Sequence, residues 1–105
     1  MSVQDPDVVD FIGMSEDGNR IVLGISDHLI WDDEHFPTLE KKINAYLAFV
    51  RGRQLLETRP DAEGKDVEIN IVCKHEPNTK AKSLLAAATE DLGKDGIMLS
   101  YDVVD

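Results

Sequence analysis

Residues 27–50, DHLIWDDEHFPTLEKKINAYLAFV, join the end of an apolar strand to an amphipathic helix, and their reading decides the fold. Leu39, Ile43, Tyr46, Leu47 and Val50 follow the i, i+4, i+7, i+8, i+11 spacing of one buried helical stripe. Glu40, Lys41, Lys42 and Arg51 fall off that stripe in this reading. Asp32, Asp33 and Glu34 stand ahead of the helix, where carboxylates satisfy orphan N–H groups and complement the dipole. Pro37 is tolerated in a first turn but not in a helix interior. Gly52 is the expected terminator, with Arg51 and Arg53 at the negative end of the dipole.

On the N-terminal side, Val8–Met14 and Arg20–Asp27 read as two strands. Ser15-Glu16-Asp17-Gly18-Asn19 between them is hairpin-turn chemistry, because Asp-Gly and Asn accept positive φ. Ile21, Leu23 and Ile25 alternate with Val22, Gly24 and Ser26, giving one apolar face and one small or polar face. On the C-terminal side, residues 54–66 form a connection in which Leu55-Leu56 is expected to be extended, followed by turn signals at Arg59-Pro60-Asp61 and Glu63-Gly64-Lys65. Val67–His75 alternates cleanly, as in a sheet covered on one side only. Asn78 is the expected N-cap of a second helix whose stripe is Ala81, Leu84, Leu85, Ala88 and Leu92, with Gly93 or Gly96 at its end. Ile97–Val104 is the last strand.

The order ββαβαβ requires two helices to cover one apolar sheet face. Right-handed crossovers stepping in one direction place both helices on the same side. The expected fold is therefore α+β: a two-layer α/β sandwich whose four-stranded mixed sheet has order 1-2-3-4, with strand one antiparallel and the other three parallel.

The 105 residues suit a single domain over 1–105, with residues 1–7 expected to fray. A chain of this size buries roughly 65% of its unfolded surface, enough for one core. The lone cysteine, Cys73, excludes an internal disulfide and fits a reducing cytoplasm. No signal-peptide pattern and no apolar run of about 20 residues is visible, so no membrane association is expected. The formal charge of −10 disfavours nucleic acid and anionic lipid and favours a basic protein partner, if any. There is no Gly-rich phosphate loop and no other cofactor signature.

The chemistry-bearing residues cluster between 27 and 35. His28, Asp32, Asp33, Glu34 and His35 offer imidazole and carboxylate to a metal or to water, although capping explains the acids as well and no metal motif matches the spacing. Asp27 is placed to orient His28 as a carboxylate orients a general base, with Trp31 beside them. The more ordinary reading is a loop fixed by these groups, the Trp31 N–H finding a carbonyl. Asn44, beside the helical stripe, needs a partner and is expected to tie the His28 loop to the helix. Cys73 and His75 share a strand face, but a thiol between Ile69 and Ile71 reads as core. On the open sheet face, Val22, Val72, Met98 and Val104 are candidate interface residues.

The segments V-D-F-I at Val9–Ile12, D-H-L-I-W at Asp27–Trp31 and K-I-N-A-Y-L-A-F at Lys42–Phe49, with R-P-D-A-E-G from Arg59, resemble a family of small uncharacterised bacterial single-domain proteins. The resemblance covers nearly the whole chain. It implies a bacterial, cytoplasmic, stand-alone domain and brings no established activity or catalytic residue. The expected function is a non-enzymatic protein-binding or regulatory module, acting on a protein partner or as a homodimer. The alternative is a small-ligand or metal-binding protein with its site at His28, Trp31, Asp32 and His35.

Overall fold

A computed structural model describes residues 3–4 and 8–104. The elements are β1 (Phe11–Met14), β2 (Arg20–Asp27), α1 (His35–Arg51), α2 (Gln54–Thr58), a one-turn 3-10 helix (Pro60–Ala62), β3 (Asp66–Cys73), α3 (Thr79–Lys94) and β4 (Ile97–Val103). The sheet order is β1-β2-β3-β4. β1 is antiparallel to β2, and β2, β3 and β4 are parallel. The two-layer α+β arrangement expected from the alternation pattern is the one observed.

Alternation places Ile21, Leu23, Ile25, Ile69, Ile71 and Cys73 in one cluster with Leu39, Ile43 and Tyr46 of α1 and Leu85 and Leu92 of α3. Both long helices therefore lie on the same side of the sheet. Asn78 caps α3 by accepting from the Ala81 N–H at 2.8 Å. Gly18 (φ 73°) makes the β1–β2 turn and Gly96 (φ 76°) the α3–β4 turn, where a side chain would be strained. Coverage fades along β4: Ile97 is buried and Leu99 half-buried, while Tyr101 and Val103 are exposed.

Several boundaries differ from the sequence reading, each for a local reason. β1 starts at Phe11 rather than Val8 because the Ser26 N–H donates to Asp10 Oδ2 (2.8 Å) and the Ser26 carbonyl accepts from Val3 N (2.9 Å), so side chain and loop replace the ladder. Within the stretch 1–7 expected to fray, Val3 is fully buried; residues 1–2 and 5–7 lie outside the described set. Leu55-Leu56 is helical, not extended: Gly52 and Arg53, at φ 67°, turn the chain into α2, and Leu55 still seals the core at 4% exposure. β3 stops at Cys73, and His75 sits beyond it, exposed.

The buried face of α1 is the largest correction. It consists of His35, Leu39, Lys42, Ile43 and Tyr46. Lys42, read as lying off the stripe, is fully buried and donates to the Val8 carbonyl (2.5 Å) and to Asp10 Oδ1 (2.9 Å). Tyr46 donates to the Gly24 carbonyl (2.6 Å) and accepts from Asp10 N (2.8 Å). Asn44, by contrast, is exposed on the groove between α1 and α3 and does not tie the His28 loop down. A helix that carries a lysine and a histidine on its inner face holds them only because each meets a partner, since a buried polar or charged group left unpaired costs several kcal/mol.

Candidate functional site

The loop between β2 and α1 is built around a buried pair. Asp27 continues the inward alternation of Ile21, Leu23 and Ile25, so its carboxylate points beneath the helices and is 2% exposed. His35 opens the buried stripe of α1 one turn before Leu39 and meets it there. His35 Nε2 lies 2.5 Å from Asp27 Oδ2, with both side chains fully buried. Its Nδ1 donates to the Ile30 carbonyl at 2.8 Å, a carbonyl having no hydrogen to give. The second Asp27 oxygen accepts from Leu29 N at 3.2 Å. Asp27 thus orients His35 and not His28, the partner expected from adjacency. His28 is exposed and lies on the other side of the strand, beside Ser26, Val72, Lys74 and Val104.

Trp31 covers this pair. Its ring stacks on His35 with centroids 3.7 Å apart and planes 18° apart. Its indole N–H donates to the His75 carbonyl at 2.9 Å, and its own carbonyl accepts from Asn78 Nδ2 at 3.1 Å. Of the three acids ahead of α1, only Asp32 caps: its Oδ1 accepts from the N–H groups of Glu34 and His35, both at 3.1 Å. Asp33 is open to solvent and stands 3.7 Å from Lys80, an exposed pair of little energetic weight. Trp31, Asp32, Asp33, Phe36 and Pro37 form one wall of a cleft of about 240 Å³; Asn78, Lys80, Ala81 and Leu84 form the other.

The four residues singled out from the sequence therefore divide. Trp31 and Asp32 line the cleft, His35 is sealed behind Trp31, and His28 faces away. Among the described residues no group of three or more His, Cys, Asp or Glu side chains is placed to hold a metal ion. Both nitrogens of His35 are engaged, so the pair serves as a clamp between β2 and α1. Cys73 is buried, and burial, followed by the Asp27 and Asp102 carboxylates, pushes its thiol up to about 12. That thiol is a core group, as its alternation with Ile69 and Ile71 indicates.

The uncovered sheet face carries a second set of side chains. Across β2, β3 and β4 a polar chain runs from Arg20 to Glu68 (2.7 Å), from the Ser100 hydroxyl to Glu68 (2.6 Å), and from Asn70 Nδ2 to Ser100 (2.8 Å) and Asp102 (3.1 Å). Burial pushes the Glu68 carboxyl up, but Ser100 and Arg20 together outweigh it and hold the group below its ordinary value. Around this chain stand apolar side chains. Phe11 lies over Gly24, where an added Cβ would meet the ring at 1.7 Å. Phe11 is 44% exposed, Met98 47% and Val104 48%, while Val22 and Val72 are half-buried.

The family model described as "Family of unknown function (DUF6572)" matches residues 1–105. The chain belongs to that family. Comparison with curated proteins and with solved structures found no match. The family assignment carries no activity with it, so the chemistry of this chain rests on its own residues. No helix among the described residues is long and apolar enough to cross a membrane.

Two features of the site had a signal in the sequence that residue type concealed. Lys42 sits three residues after Leu39 and four before Tyr46, and His35 four before Leu39; both are stripe positions by spacing.

Proposed function

We propose that the chain is a non-enzymatic binding module of a bacterial cytoplasm that engages a basic protein partner through the uncovered face of its sheet. One observation carries this reading: Phe11, Met98 and Val104 stand 44–48% exposed on the side of the sheet that neither long helix covers. Exposed apolar side chains set around satisfied polar groups are the composition of a partner-binding surface. The formal charge of −10 steers a basic partner toward it and repels polyanions. The buried Asp27–His35 pair supports a binding role over a catalytic one, because its ring nitrogens are already engaged. Affinity purification of the full chain from its host at moderate salt tests this. The expected result is a basic protein whose recovery drops with Met98→Lys and with rising salt; recovery of the bait alone would overturn the proposal.

A second reading is favoured by the cleft beside Trp31. Its apolar walls, Phe36, Ala81 and Leu84, and its polar rim of Asp33, Asn78 and Lys80 suit a small amphipathic ligand. A saturable change in Trp31 emission on ligand titration would support it, and a flat response to a broad metabolite panel would count against it.

A further inference from the structure

The two edges of the sheet are protected very differently. β1 is four residues long, and Asp10 and Val3 take over the bonds of β2 where it ends. Short edge strands of this kind are poor templates for another strand. β4 is seven residues long and ends the sheet on the other side, with no strand beyond it among the described residues. Half of the large apolar side chains exposed among the described residues lie on or next to β4: Met98, Tyr101, Val103 and Val104.

The direction of its backbone groups follows from one bond. Val104 N donates inward to the Cys73 carbonyl at 2.8 Å. In a parallel strand alternate residues turn both backbone groups to the same side. Residues 98, 100 and 102 therefore face β3, and Leu99, Tyr101 and Val103 present their N–H and C=O groups outward.

We propose that this edge joins a second copy of the chain, β4 against β4, making one continuous eight-stranded sheet. Charge selects the occupant. A chain of −10 meets its own copy only where its charges are sparse, and Asp102 is the sole charged residue in the stretch 97–104. Asp102 is turned onto the uncovered face and hydrogen-bonded to Asn70, away from the edge. A basic partner would find little acid here. The strand is self-complementary as well: antiparallel pairing about a twofold axis uses the same residues on both copies and closes as a dimer, whereas β4 against the short β1 would run on as a filament.

Equilibrium sedimentation of the full chain at a series of salt concentrations tests the proposal. Twice the chain mass is expected, with a Kd that falls several-fold between about 0.05 M and about 0.5 M NaCl as the repulsion of the two acidic bodies is screened. Binding of a basic partner has the opposite salt dependence, so the two proposals fail separately. Tyr101→Pro removes an outward N–H and leaves the β3 ladder intact, and should give a monomer with unchanged circular dichroism. If that variant does not fold, Tyr101→Lys keeps the backbone and should weaken the dimer at least tenfold. A wild-type chain that stays monomeric at every salt concentration would overturn the proposal, as would a dimer indifferent to both substitutions.

Discussion

Replacing His35 with alanine should be among the most damaging single changes in the molecule. The substitution leaves the Asp27 carboxylate 2% exposed, without the imidazole 2.5 Å away, and removes the ring on which Trp31 stacks at 3.7 Å. Taking away one partner of a buried pair costs about 3–5 kcal/mol, because the remaining charge keeps its desolvation penalty and loses its compensation. Set against the roughly 5–15 kcal/mol that holds a domain together, that is about a fifth of the total or more. The midpoint of thermal unfolding should drop by about 20 °C at roughly 5 °C per kcal/mol. Urea unfolding followed by Trp31 emission and by far-UV circular dichroism measures the loss. The same reasoning predicts that Asp27→Leu with His35→Leu costs less than the sum of the single changes by about 2 kcal/mol or more, since an apolar pair leaves no stranded charge. A loss below about 1 kcal/mol for His35→Ala, or strict additivity of the pair, would refute the clamp.

Lys42→Met should cost about 3 kcal/mol by stranding Asp10, and adding Asp10→Asn should recover part of it, read by urea midpoints. Burial pushes the Tyr46 hydroxyl up to about 12 from 10, so its contribution is complete below pH 10 and is lost as pH rises through 12. The difference corresponds to about 3 kcal/mol, and Tyr46→Phe should remove that part of the alkaline slope in a pH series of denaturation curves. Cys73, raised from 9 to about 12 by burial first, should resist a thiol reagent at pH 8 in the native chain and react at once in urea; rapid stoichiometric labelling of the folded protein would contradict its core position.

The sheet was legible because β2 and β3 alternate without a break, and period-two patterning fixes both strand type and the face that is buried. Strand order followed from the shared side of the two amphipathic helices. What stayed hidden lay where polar residues occupy apolar positions. Lys42 and His35 have the spacing of core residues and the chemistry of surface ones, and their partners, Asp10 and Asp27, are 32 and 8 residues away. Nothing local distinguishes such a lysine from a solvated one until the strand that carries its acid is in place. Asn44 erred the other way: one position past Ile43 already turns the side chain out of the interface. In the loop, the three consecutive acids at 32–34 predicted a cap but not which of them supplies it; the geometry of the first turn selects Asp32.

The inner side of α1 has a consequence for how this family drifts. Grease tolerates piecemeal exchange, one aliphatic for another, with the helix settling by small rotations. A helix keyed into the sheet by Asp27–His35, Asp10–Lys42 and the Tyr46–Gly24 contact has no such freedom, since any turn about its axis would unseat all three at once. Relatives that keep this architecture should therefore exchange positions 27 and 35 in concert, and likewise 10 and 42.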